Sequence, residues 1–311
     1  MPMQAVVLDT DIGTDVDDVV ALGLILCCQN IELRGVSTVY VNAELRARMV
    51  DAVLKVAGRA DVPVGAGVDL PLLRRDDLYW AGWEGEGLLE QEVGSHSPSG
   101  GGVDLLVNTV LARPGEVTVL AIGPLTNVAL AVLREPRFVS AVRRIVIMGG
   151  LVQRRFDQLS TPYSEHNIRC DPEAAHIVLT CGAPITLVPL DVTTQVRVRR
   201  DDLQRLEDKG PVASLVADQL GRYLRHMERD WTNPHDPLAV AAIAQPELLR
   251  THPMHITVET CGQYTRGQTV ATSHDSTDQQ SASVDVALEV DAAGFEEWLL
   301  STLTSGPPRK G

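Results

Sequence analysis

Five aspartates crowd one short stretch of this chain. Asp9, Asp11, Asp15, Asp17 and Asp18 fall within ten residues of VVLDTDIGTDVDDVVALGLIL (6–26), between two apolar runs. Unneutralised, that many carboxylates at a strand end would repel one another strongly. Helix capping can occupy one or two of them, because acidic side chains near a helix N-terminus satisfy free N–H groups and favour the dipole. It leaves Asp9 and Asp11 without a role, since a strand end makes no comparable demand. A phosphate site is excluded: the charges would repel the ligand, and the single Gly13 is too few for a phosphate cradle. A hard divalent cation, Ca2+ or Mg2+, wants several oxygen ligands and would remove the repulsion. The stretch lacks the position-twelve glutamate of an EF-hand, so such a site would be of another kind.

The elements that must hold these carboxylates are legible in the hydrophobic pattern. AVVLD (5–9) reads as a buried strand and 17–29 as a helix; IELRGVSTV (31–39) contains a second strand, followed by a helix over 43–57. EVTVLAI (116–122), RRIVIMGG (143–150) and PITLVPL (184–190) read as further strands, with helices near 124–133 and 172–179. Continuous apolar strands alternating with helices predict an α/β fold, with a mostly parallel central sheet flanked by helices. Such sheets bind ligands beyond the carboxyl ends of their strands, and the aspartates lie at one of those ends. HITVETCGQYTRGQTVATS (255–273) predicts a small β-hairpin near the C-terminus with Gly262 at its turn. The charged segment 201–230 reads as a solvated helical outer layer. The stretches 69–102 and 151–162 read as long irregular inserts, of the kind that is usually functional or mobile. No repeat, low-complexity tract or linker interrupts the pattern, so residues 1–311 are expected to form a single domain.

Composition narrows the partners. Hydrophobic residues make up 44% and charged residues 22%, the balance of a soluble globular protein. A formal net charge of −14 disfavours nucleic acid and anionic membrane surfaces, both of which need a basic face. The five cysteines are odd in number and none has zinc-site spacing, which predicts reduced thiols in a reducing compartment. MPMQAVVLD has neither a basic n-region nor a cleavage site, and no apolar run is long enough to span a bilayer, so a cytoplasmic location is expected.

DTDIGTDVDD resembles the N-terminal signature of the Ca2+-dependent inosine-uridine type of nucleoside hydrolase, D-x-D-P-G-x-D-D. VYVN (39–42), DVPVGAG (61–67), AIGPLTNVALA (121–131), IVIMGG (145–150), EHNIRCDPEAAHIV (165–178) and HDPLAV (235–240) follow in the family's order, over nearly the whole chain. The resemblance implies a Rossmann-related parallel-sheet fold, a Ca2+ ion at the strand ends, and hydrolysis of a ribonucleoside to free base and ribose. It further implies Asp11 as metal ligand and water-activating base, Asp18 and Asp236 as ligands, and the Ile122 backbone carbonyl as another. Asp17, Asn42, Glu165 and Asn167 would bind ribose, and His235 would either protonate the leaving base or buttress the metal loop. Read on its own, Asn42 is better taken as a turn residue after a strand; Glu165 alone could be a solvated charge and Asn167 a cap-region residue. Relatives are commonly dimers or tetramers, so a homodimer or homotetramer is expected.

The match departs in three places. The metal loop is two residues longer than the common signature, which leaves Asp15 as a partner supporting one of the ligands, an added ligand or a solvated charge. Where many relatives carry a histidine in HGxxGL, this chain has WEGEGLL, so Trp80 and Trp83 are candidates for stacking on a nucleobase. An asparagine that contacts the sugar's 5′ end in relatives falls near Leu159, with Arg154 and Arg155 close enough to meet a charged 5′ substituent. The expected activity is thus nucleoside hydrolysis. The alternatives are hydrolysis of a modified or specialised N-riboside, possibly 5′-substituted, and a non-catalytic ribose-binding module. A phosphorylase is disfavoured because the acidic site offers no anion cradle.

Overall fold

The computed structural model describes residues 2–73, 78–89, 101–153, 163–273 and 283–308; Arg154, Arg155 and Leu159 lie outside them. Eleven strands are present among the described residues: β1 Gln4–Thr10, β2 Ile31–Thr38, β3 Val64–Ala66, β4 Val117–Ala121, β5 Arg144–Met148, β6 Ile185–Val188, β7 Val198–Arg199, β8 Trp231–Thr232, β9 Leu249–Val258, β10 Thr269–Ser273 and β11 Ser283–Val290. Nine of them form one sheet in the order β10-β9-β11-β6-β5-β4-β1-β2-β3. All neighbours from β3 through β11 pair parallel, while β9 is antiparallel to both β11 and β10. The expected hairpin is therefore the β9–β10 edge of the main sheet, and a separate small hairpin pairs β7 with β8. The β9–β10 connection is longer than a tight turn. Within it the Glu259 carboxylate accepts the Cys261 and Gly262 N–H groups at 2.7 and 2.9 Å.

The central strands are apolar throughout because both faces are covered. In β1, Val6 and Leu8 point into one core layer, with the helices Asp17–Cys27, Pro211–His226 and His235–Ala244. Val7 points into the other, with the helices Gly102–Ala112, Thr126–Arg134 and Pro172–Leu179. The segment 201–230 is not simply a solvated layer. Its helix Pro211–His226 buries Val212, Val216, Leu220 and Leu224 at helical spacing, while its other face is polar. It seats closely on Asp17–Cys27, where a Cβ on Gly23 would lie 2.8 Å from Val216.

The chain order places the site. From β1 the chain moves outward through β2 to β3, then returns to β4 on the other side of β1 and proceeds to β5 and β6. The β1/β4 boundary is a topological switch point, where the two connecting loops diverge and leave a crevice beyond the strand ends. Asp11 follows β1 and Ile122 follows β4. A side chain at Gly123 would put its Cβ 2.8 Å from the Asp11 backbone N and from Oδ1, so the two loops can meet this closely only with glycine there.

Candidate active site

The switch-point crevice opens into a cavity of about 310 Å³. Asp11, Asp15, Asp17, Asp18, Ile122, Glu165, Asn167, His235, Asp236 and Trp83, all candidates from the sequence, line it. Asn42 is not among its lining residues. It is exposed, adopts a left-handed conformation (φ 61°), and caps the helix Ala43–Val56 by accepting the Leu45 N–H at 3.3 Å. In this geometry it is a turn residue that stands outside the cavity lining.

Asp17 and Asp18 open the helix Asp17–Cys27, and Asp236 sits in the first turn of His235–Ala244. Free N–H groups at both helix starts favour negative charge there. The Asp236 N–H donates to Asp17 Oδ2 at 3.2 Å, and the Thr10 hydroxyl donates to an Asp18 oxygen. Carboxylate oxygens of Asp17, Asp18 and Asp236 all lie within 4.8 Å of one another, a set that could hold a metal ion. Asp17, expected to serve the sugar, is thus part of this cluster, whereas Asp11 faces the same cavity from outside it. Burial first, then repulsion from neighbouring aspartates, raises all three cluster carboxyls well above the usual carboxylate range. Asp11 is raised by burial too, against the opposing pull of Arg46 and His166. Buried acids that repel one another, with no ion pair to the cluster of three among the described residues, form the donor set that a hard cation fits.

Asp15 does not join them. Its Oδ1 accepts the Val16 N–H at 2.6 Å and its Oδ2 accepts the Tyr223 hydroxyl at 2.9 Å. Asp9 is fully buried beneath the loop, held by the Ser37 hydroxyl and by Asn127 Nδ2 at 2.8 Å. Burial pushes its carboxyl up to about 7. Asn127 also donates to Thr38 O and accepts the Val68 N–H, so one amide ties β1, β2 and the loop after β3 together.

Glu165 is buried rather than solvated. Its carboxylate accepts the N–H groups of Gly150, Asn167 and Ile168 at 2.8–3.1 Å, fixing its orientation toward the cavity. Asn167 Nδ2 donates to the carbonyls of Ile122 (2.9 Å) and Met148 (3.2 Å). The Ile122 carbonyl therefore has one lone pair engaged and one remaining. His235 Nδ1 bonds the Thr193 hydroxyl at 2.7 Å, and burial lowers the imidazole pKa. Trp83 faces the cavity, but one side of its indole stacks on His226 (centroids 5.1 Å apart, planes 8° apart) and its Nε1 donates to Thr14 O. Trp80 packs under the Arg46 guanidinium at 5.3 Å instead of forming part of the cavity wall.

Arg46 was not anticipated. It is wholly buried and donates to the carbonyls of Tyr40, Val41, Asp11 and Ile12 and to the Thr14 hydroxyl. It straps the metal loop to the left-handed turn Tyr40–Val41–Asn42, whose φ angles are 67°, 38° and 61°. Such backbone is costly for residues with side chains and persists only where surrounding contacts impose it. Arg46→Ala strands these acceptors in the core and is expected to lower unfolding stability by about 3 kcal/mol, read from the denaturant midpoint. Also unanticipated were Tyr79, Tyr163, His166 and Tyr223, which line the cavity. His166 lies between Glu165 and Asn167, with Nε2 4.0 Å from Asp11 Oδ2 and the rings of Tyr40 and Tyr79 edge-on to it.

Residues 6–297 match the model of a family described as inosine-uridine preferring nucleoside hydrolase. The chain belongs to that family. Similar proteins include the pyrimidine-specific ribonucleoside hydrolase RihA of Salmonella paratyphi B, 33% identical over 96% of this chain and 97% of that protein. The non-specific ribonucleoside hydrolase RihC of Salmonella heidelberg is also 33% identical, over 97% of this chain and 98% of that protein. Among solved structures, a plant nucleoside hydrolase superposes with a TM-score of 0.85 at 30% identity, over 97% of this chain and 99% of the other. A purine-preferring ribonucleoside hydrolase from Gardnerella vaginalis gives 0.83 at 26% identity, over 97% and 98%. The family model spans the aspartate loop, the Glu165–Asn167 segment and the His235–Asp236 pair alike. The base preferences named for these relatives differ, so family membership does not fix the base.

Proposed function

We propose that this nucleoside hydrolase cleaves the N-glycosidic bond of a ribonucleoside with water, giving free nucleobase and ribose, and that Ca2+ is its cofactor. The supporting observation is a buried aspartate cluster and a separate buried carboxylate, Asp11, sharing one cavity at the sheet's switch point. Asp17, Asp18 and Asp236 would hold the cation, with the Ile122 carbonyl alongside. Bound there, it supplies charge that eases loss of a proton from a neighbouring water at neutral pH and fixes hydroxyl oxygens. Asp11 takes the water's proton as the oxygen attacks C1′. The C1′–N bond breaks, its electron pair leaves with the base, and nearby carboxylates stabilise the oxocarbenium-like ribose. Glu165, held rigid by three N–H groups, accepts from ribose hydroxyls, and Asn167 places its amide beside them. His235, its Nδ1 committed to Thr193, presents Nε2 to the departing base.

A reducing-sugar assay over a panel of common nucleosides, with Ca2+ and after chelation, tests this reading. Ribose release that chelation abolishes and Ca2+ restores is expected. Tight nucleoside binding without ribose release would instead make the chain a binding module. Inactivity on common nucleosides with Ca2+ bound would point to a modified-base riboside. Among the described residues no helix is long and apolar enough to cross a membrane.

A further inference from the structure

The residue that the longer loop adds, Asp15, is tied to the helix Pro211–His226 rather than to the cation cluster. Its two oxygens are both engaged, one by its own loop and one by the Tyr223 hydroxyl. That bond fixes the tyrosine's single proton on Asp15. The phenolic oxygen then has only lone pairs to offer the cavity. Beside it, Trp83 also has no donor to give, because its Nε1–H points to Thr14 O at 3.2 Å. Met227, four residues after Tyr223, also lines the cavity and carries a thioether with no donor at all.

This wall differs from the aspartate side in kind. The cluster, Glu165 and Asn167 offer what ribose hydroxyls need, whereas Tyr223, Trp83 and Met227 offer π faces and polarisable sulfur. A flat aromatic leaving group suits the second surface. The polar atoms it meets there, Tyr223 Oη and the Asp15 carboxylate, are acceptors 2.9 Å apart. An exocyclic amino group placed against them donates; an oxo group in the same place sets lone pair against lone pair beside a negative charge.

We propose that the Asp15–Tyr223 pair is a specificity determinant that favours nucleosides whose base carries an exocyclic amino group over their oxo counterparts. This rests on the nucleoside-hydrolase reading, and it makes Tyr223 a contact residue and Asp15 a positioning residue. The pairs cytidine/uridine and adenosine/inosine test it directly, since each pair swaps an amino for an oxo group on one ring.

Both pairs are measured on the wild-type protein, Tyr223→Phe and Asp15→Asn, as kcat/KM ratios and as calorimetric affinities in the presence of Ca2+. The wild type is expected to favour the amino member by about tenfold, the worth of one well-placed hydrogen bond. Tyr223→Phe removes the acceptor and brings both ratios toward one. Asp15→Asn can donate to Tyr223 and release its proton, which moves the ratios toward the oxo members. Any general damage lowers all four substrates alike and leaves the ratios intact. Wild-type ratios at or below one, or ratios unchanged in Tyr223→Phe, would overturn the proposal while leaving hydrolysis standing. Amino-selective binding without turnover would do the reverse.

Discussion

Asp11→Asn is expected to lower kcat/KM by about a thousandfold while the folded protein becomes no less stable without metal. The two halves of that expectation have one cause. Asp11 is buried, and burial makes its ionised form costly to the fold, as the raised pKa records. A neutral amide of the same shape removes that cost, so the metal-free melting temperature should hold or rise. Active-site groups commonly trade stability for function in this way. The carboxylate is nevertheless the group best placed to take a proton from water, because it faces the cavity from beside the cluster without belonging to it. The amide cannot accept that proton. Binding of nucleoside and Ca2+ should change far less than turnover, since Asp17, Asp18 and Asp236 remain. Activity within tenfold of wild type, with the fold intact by circular dichroism, would remove Asp11 from the role of base.

The strands and helices of the first half were legible because their signals are local. A run such as VVLD has one stable fate when both faces of a sheet are covered, and Asp17 at a helix start is both a cap-region acid and a site residue. The convergence of Asp11, Asp18, Glu165, Asn167 and Asp236 on one cavity was legible through the joint order of their motifs. The partners of each side chain were not. Nothing in the local sequence tells that Asp15 meets a tyrosine 208 positions later, or that Trp83 lies against His226. Asn42 shows the reverse: its motif resembles one that serves the site, while its local backbone, a left-handed turn, makes it the cap of the next helix. Arg46 did leave a trace. It falls between Ala43, Ala47 and Val50 on the buried stripe of its helix, where a cation makes sense only if many acceptors wait for it.

Ca2+ is expected to stabilise the protein more at pH 8 than at pH 5. Without metal, burial and then mutual repulsion hold the carboxyls of Asp17, Asp18 and Asp236 well above their ordinary value, and Asp9 is pushed up to about 7. In the unfolded chain these groups ionise near the ordinary aspartate value of 3.8. Above that pH the folded state therefore binds more protons than the unfolded one, and its stability falls as pH rises through the raised values. Metal-free melting temperatures should decline from pH 5 to pH 8. A cation replaces the cluster's protons, so its affinity rises over the same interval and its binding releases protons to the buffer. At a hundredfold excess over Kd, bound Ca2+ contributes about 2.7 kcal/mol, roughly 4 °C of melting temperature at pH 8. At pH 5 the same concentration competes with protons and the shift should be less than half as large. Thermal melts with Ca2+ and with chelator at both pH values, joined to calorimetry in buffers of different ionisation enthalpy, read both effects. Equal shifts at the two pH values, or binding without proton release, would mean that these carboxyls are already ionised in the metal-free fold. Something other than retained protons would then have to explain why these aspartates tolerate one another at the end of β1.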